Sequence, residues 1–142
     1  MKTAKRCDKP LVGMDLDAYH ELVHRCYRYK EWKQEIVNIN ASLNPSSPAY
    51  DGMPHTYNTD SLVEKKAIRL AILRGWIDEI EEAARRASRE FAPYLIKYCS
   101  DRNISFVQLQ QHYGIPCSQA TFYRYRALFF QHLLFIRETN GT

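Results

Sequence analysis

Apolar residues recur every three or four positions along two long stretches of this chain, and this spacing restricts the fold more than any other feature. One stripe runs from Leu16 to Ile39, and a second runs from Val63 to Phe91, which is about eight turns of helix. A period of 3.6 residues gathers such positions on one face of an α-helix, and that face needs a partner to pack against. The two stretches therefore predict two long antiparallel helices.

The composition also favours helices. The 142 residues are 45% hydrophobic and 25% charged, with 5 glycines and 6 prolines. So few turn-forming residues disfavour a β-architecture with many turns, while the apolar content is sufficient for a buried core. We predict an all-α fold.

Local signals indicate where the two long helices begin and end. Asp15 or Asp17 can cap the first helix, which we expect to end near Asn40, and Ser61 opens a capping box at the start of the second. Residues 41–60 between them are rich in proline, glycine, serine and asparagine, which is typical of a loop. The predicted organisation is a flexible basic N-terminus at 1–13, a helical hairpin and candidate dimerisation region at 14–91, and a C-terminal domain at 92–142.

The last third of the chain carries the most specific pattern. Ser105 opens a second capping box, at the start of a short helix from Phe106 to Tyr113. Gly114 is suited to the left-handed conformation that ends a helix, and Ser118 can cap a final helix that continues to about Arg137. A short helix, a glycine turn and a longer helix are the pattern of a helix-turn-helix.

The final helix supplies the candidate binding residues. In a helix-turn-helix the second helix enters the major groove, and its first residues meet the base edges. Glutamine can pair with adenine, arginine with guanine or phosphate, and hydroxyl groups with phosphate oxygens. The polar residues predicted to lie outside the apolar stripe, and hence to contact double-stranded DNA, are Ser118, Gln119, Thr121, Tyr123, Arg124 and Arg126.

The net charge of +4 permits a nucleic-acid partner without requiring one. Residues 100–142 have a net charge of +2. So small a charge contributes little to the attraction for DNA phosphates that produces most non-specific binding. The first nine residues add +3. They could form a basic arm on DNA or an ordinary disordered terminus.

A second motif suggests a different class of protein. His20, Glu21 and His24 match H-E-x-x-H, in which two histidines on one helical face hold zinc and the glutamate activates water. Arg25 directly follows the motif, and no second motif identifies a third ligand among the acidic residues further along the chain. The motif therefore leaves two interpretations: a zinc metallopeptidase, or three side chains on an exposed helix face. Because the sequence context favours the second, we predict that the protein is not an enzyme and binds no cofactor.

The remaining features concern the compartment. Four widely spaced cysteines without a C-x-x-C pair favour reduced thiols, no apolar leader follows Met1, and the apolar run at 127–136 is too short to cross a bilayer. Cys99, His112 and Cys117 form a weaker candidate zinc cluster, for which burial of the cysteines is the simpler interpretation. We expect a cytoplasmic protein with no membrane partner.

Three segments resemble the ArpU/RinA-type transcriptional regulators of phages and prophages. They are Asp51-Gly52-Met53-Pro54-His55, Tyr113-Gly114-Ile115-Pro116 and Ser118-Gln119-Ala120-Thr121-Phe122-Tyr123-Arg124-Tyr125-Arg126. The resemblance covers roughly residues 40–137 and implies a C-terminal helix-turn-helix similar to region 4 of sigma factors. It further implies promoter binding that activates late phage genes. The low positive charge of residues 100–142 departs from this pattern, so we expect a homodimer or RNA polymerase to help hold the DNA. The remaining alternative is a helical protein–protein adaptor that does not bind DNA.

Overall fold

The computed structural model describes residues 14–43 and 58–140, and all regular structure within them is helical. This confirms the all-α prediction. The predicted N-terminus at 1–13 and the loop that contains Asp51-Gly52-Met53-Pro54-His55 lie outside the described residues. The helices are α1 (Leu16–Tyr27), α2 (Tyr29–Ser42), α3 (Asn58–Ala87), α4 (Ala92–Ser100), α5 (Phe106–Tyr113) and α6 (Gln119–Thr139).

The first predicted helix is two helices. Asp15 caps α1 through its side chain, as expected, but the helix ends at Tyr27, and the amide of the C-cap residue Arg28 donates to the carbonyl of Arg25 at 3.1 Å. A new helix, α2, begins at the next residue and ends at Ser42. Neither glycine nor proline occurs near Arg28, so the sequence contains no conventional signal for the break.

The second predicted helix is shifted towards the N-terminus. It begins at Asn58, so the start predicted at Ser61 is wrong, and it ends at Ala87 rather than at Phe91. Phe91 instead occupies the N-cap position of α4, where proline follows in the first turn. Proline is tolerated there because the first helical amides have no partner within the helix.

The chain divides into two compact units whose boundaries differ from the division predicted at residue 92. Of the described residues, the central unit comprises 30–43 and 58–78, and the terminal unit comprises 14–29 together with 79–140. The terminal unit therefore contains α1 and the end of α3 as well as α4, α5 and α6.

Within the central unit, α2 and α3 pack in opposite directions. The rings of Trp32 and Trp76 lie 5.2 Å apart. Three residues further along α2, the carboxylate of Glu35 accepts a bond of 2.7 Å from Arg69, which lies seven residues before Trp76 on α3. Contacts that move forward along one helix and backward along the other show that α2 and α3 run antiparallel.

Within the terminal unit, α1 packs against α4 and α6, and α4 also packs against α5 and α6. A buried carboxylate links three of its segments. Glu79, on α3, forms ion pairs with Arg25 of α1 at 3.5 Å and with Arg137 of α6 at 3.1 Å, and it accepts a hydrogen bond of 2.8 Å from Asn140. The aliphatic and aromatic core around these segments excludes water from most of the Glu79 side chain.

Candidate nucleic-acid interface

The turn between α5 and α6 has the geometry predicted from its sequence. The Ser105 hydroxyl accepts the amide of Gln108 and the Gln108 side chain accepts the amide of Ser105, which completes the capping box. Gly114 ends α5 in the left-handed conformation with φ +63°, and its amide bonds to the carbonyl of Gln110 at 3.2 Å. The Ser118 hydroxyl then accepts the amide of Thr121 and caps α6.

Gly114 provides a test of this turn. We expect Gly114→Ala to lower the free energy of unfolding by about 1–2 kcal/mol, because an L side chain pays that cost in the left-handed region. Beyond Gly114 and its two chain neighbours, no heavy atom lies within 4 Å of the added methyl group, so the loss comes from the backbone conformation. Urea unfolding followed by circular dichroism measures it.

Gly75 is the matched control, since its added methyl group also meets no atom within 4 Å but the residue lies inside α3. There alanine improves helix propensity, and Gly75→Ala should raise the free energy of unfolding by about 0.5–1 kcal/mol. Equal effects of the two substitutions would contradict the role given to the Gly114 turn.

Phe122 is the packing centre that holds α6 to its neighbours. Its side chain is fully buried, and its ring lies 5.2 Å from that of Tyr98 on α4 and 5.5 Å from that of Phe106 on α5. A further contact joins α4 to α5, because the Lys97 ammonium lies 4.4 Å from the ring centre of Tyr113. The first turns of α6 are thus fixed by aromatic packing on one side and open to solvent on the other.

The open side carries most of the predicted contact residues. Ser118, Gln119 and Arg124 are exposed, while Thr121 and Tyr123 are partly exposed. The Gln119 amide donates a hydrogen bond of 3.0 Å to the Tyr123 hydroxyl, and the hydroxyls of Ser118 and Thr121 lie 3.0 Å apart. These hydrogen bonds keep the polar groups of the first two turns together on the outside of α6.

Arg126 does not belong to this surface, and the prediction that it lies on the exposed face is wrong. Only 5% of the residue is exposed. Its guanidinium donates a hydrogen bond to the Tyr19 hydroxyl and lies over the rings of Tyr19 and Phe130, at 5.6 and 5.2 Å from their centres. Arg126 therefore contributes to the packing of α1 against α6.

The H-E-x-x-H motif lies on the surface of α1. His20, Glu21 and His24 are all exposed, and the neighbouring Tyr19 and Leu22 fill the buried face. Among residues 14–43 and 58–140, no three histidine, cysteine or acidic side chains come close enough together to hold a metal ion. The same finding covers Cys99, His112 and Cys117, the first of which is buried.

Two apolar side chains on the outside of α6 were not predicted as functional residues. Phe135 is 62% exposed and Leu128 is 40% exposed, although both are large and apolar. A shallow groove of about 360 Å³ adjoins Leu128, and it is lined by Thr121, Arg124, Tyr125, Ala127 and Leu128. The sequence does hold a signal, because both positions fall outside the Phe122–Phe129–Leu133–Ile136 stripe.

None of the helices in the described segments is long and apolar enough to cross a bilayer. Comparison of the chain with protein-family models, with curated proteins and with solved structures gave no match.

Proposed function

We propose that this protein binds double-stranded DNA through α5 and α6 and regulates transcription. The observation that carries the proposal is the combination of a glycine-ended α5, a side-chain-capped α6 and a polar, solvent-facing first turn on α6. In this reading α6 lies in the major groove and α5 crosses above it.

The chemistry of the exposed side chains supports this assignment. Gln119 carries an amide that can pair with adenine, and Arg124 carries a guanidinium that can pair with guanine. Ser118 lies at the positively polarised end of α6, where a phosphate oxygen is favoured. Thr121 and Tyr123 add hydroxyl groups for phosphate contacts. The proposed contact set therefore consists of five of the six residues predicted from the sequence, and Arg126 is omitted because it is buried.

The resemblance to ArpU/RinA-type regulators adds the biological setting to the proposal. It supports late phage or prophage genes as the regulated genes, RNA polymerase as a second partner and the cytoplasm as the compartment. The small charge of the C-terminal region is consistent with a regulator that relies on another protein to hold DNA tightly.

The experiment begins with selection of duplexes from a random 30-bp pool by the full chain at low salt, where electrostatic attraction is strongest. We expect Gln119→Ala and Arg124→Ala each to weaken binding to the enriched duplex by roughly 5- to 150-fold, because a lost base contact costs about 1–3 kcal/mol. Fluorescence anisotropy at nanomolar protein concentration measures the dissociation constant, and a scrambled duplex measures non-specific binding.

Arg74→Ala is the charge-matched control, since Arg74 is an exposed arginine on α3 in the central unit. We expect it to change the affinity for either duplex by less than about twofold. Failure to enrich any duplex at low salt would refute the proposed function. Enrichment that Gln119→Ala and Arg124→Ala leave unaffected would refute the assigned surface.

A further inference from the structure

The outward face of α6 carries a continuous stripe with the spacing of a helix–helix interface. Its members follow one another by four, three, four and three residues, which is the spacing of a coiled-coil seam. In order they are Arg124, Leu128, Gln131, Phe135 and Glu138, and all five are exposed. The opposite face of α6 is buried in the terminal unit, so this stripe is available for an additional contact.

The two apolar members are large and face solvent. Phe135 has the highest exposure of the large hydrophobic residues described, at 62%. Isolated exposed apolar residues are common. Leu128 and Phe135, however, lie one heptad apart on the same face of α6, where a second helix can cover both at once. The adjacent groove of about 360 Å³ is lined mainly by apolar surface, and an aromatic side chain can enter it beside Tyr125, Ala127 and Leu128, with Thr121 and Arg124 completing its wall.

The charges at the ends of the stripe indicate which partner fits. Arg124 and Glu138 each lie seven residues from Gln131, on opposite sides of it. When two α6 helices run antiparallel across Gln131, Arg124 of each copy lies level with Glu138 of the other. Leu128 and the groove beside it then lie level with Phe135 of the other copy, to within about one residue rise of 1.5 Å.

A parallel pair would reverse these relations. It would place Arg124 beside Arg124 and Glu138 beside Glu138, and adjacent like charges destabilise helix pairs. The charge order of the stripe is therefore complementary to itself in the antiparallel sense only. From this complementarity and the reciprocal Phe135–groove fit, we infer that a second copy of this chain docks antiparallel on the outward face of α6.

The docked pair is a weak, symmetric dimer. Contact along a single helix buries less area than the interfaces of stable complexes, so we expect a dissociation constant of about 10–100 µM. This surface differs from the hairpin at 14–91 that the sequence suggested for dimerisation. Arg124 is also one of the proposed DNA contacts. The DNA-binding measurements therefore use nanomolar protein, far below the dissociation constant expected for the dimer, so that the chain is monomeric. The self-association itself does not depend on the proposed function.

Sedimentation equilibrium of the full chain tests the inference. The apparent mass should rise from that of the 16.7 kDa monomer towards twice that value as the concentration increases through the micromolar range. Phe135→Asp should weaken association at least tenfold, because it places a charge in the apolar groove. Val37→Asp is the control, since Val37 is similarly exposed, at 59%, but lies on α2 in the central unit. It should leave the dissociation constant unchanged.

A charge exchange tests the antiparallel arrangement. Arg124→Glu alone and Glu138→Arg alone should each weaken association, because each places like charges opposite one another. The double variant Arg124→Glu/Glu138→Arg should restore the original dissociation constant. A wild-type chain that stays monomeric up to about 200 µM, above the range expected of a weak interface, would overturn the inference. A dimer that survives Phe135→Asp, or a double variant no stronger than the single variants, would also overturn it.

Discussion

Replacing Glu79 with alanine is expected to lower the free energy of unfolding by about 3–5 kcal/mol, because it removes the anion from a buried charge cluster. The Glu79 side chain is 9% exposed, and those of Arg25 and Arg137 are 16% and 18% exposed. Burial lowers the pKa of Arg25, the nearby Arg137 lowers it further, and Glu79 raises it. Without the carboxylate, two guanidinium charges would repel each other in a poorly solvated site. Urea unfolding monitored by far-UV circular dichroism measures the loss.

Glu82→Ala is the control for Glu79. Glu82 lies on the same helix and also pairs with two arginines, Arg85 and Arg86, each at 2.9 Å. Those pairs are exposed and solvent screens them, so the stability loss should be small. Comparable losses of unfolding free energy for Glu79→Ala and Glu82→Ala would show that burial does not increase the contribution of the Glu79 ion pairs to stability.

The second large effect is expected at Phe122. Phe122→Ala should lower the free energy of unfolding by about 3–5 kcal/mol, because it opens a cavity where α4, α5 and α6 meet. The ring is fully buried between Tyr98 and Phe106, so few side chains can move in to fill the space. Urea unfolding gives the stability, and near-UV circular dichroism reports the loss of fixed aromatic packing.

Phe135→Ala is the control for Phe122, since it makes the same deletion on the same helix at a largely exposed position. In dilute solution, where the chain is monomeric, its effect should stay within about 0.5 kcal/mol. A loss at Phe122 no larger than that at Phe135 would contradict the packing role assigned to Phe122.

The sequence predicted the ends of α5 and the start of α6 correctly because the information is local. Each cap depends on residues within four positions of one another, as with Ser105 and Gln108 or Ser118 and Thr121. Gly114 needed no partner at all, since its backbone freedom determines where it fits. The start of α3 was predicted less well. Ser61 begins a capping-box sequence, but the helix extends past it towards the N-terminus and begins at Asn58.

At Arg126 the helix periodicity predicted burial correctly, but the charge of the side chain led to the opposite prediction. Arg126 lies four residues after Phe122 and three before Phe129, which places it on the buried face by periodicity. Its charge suggested the outside instead. The residue that makes burial favourable is Tyr19, 107 positions away in the chain, and no local pattern identifies that partner. The five residues that we propose contact DNA, which are exposed or partly exposed, required only the helix period.

The make-up of the terminal unit affects the order in which the chain can fold during synthesis. The ribosome completes residues 30–78, the whole central unit, while α1 still lacks the helices against which it packs. The bond between Tyr19 and Arg126, and the ion pair between Glu79 and Arg137, can form only after α6 has emerged. Contacts this distant in sequence are slow to form because a long loop must close first. Until then the apolar face of α1, with Leu22 and Cys26, stays available to chaperones.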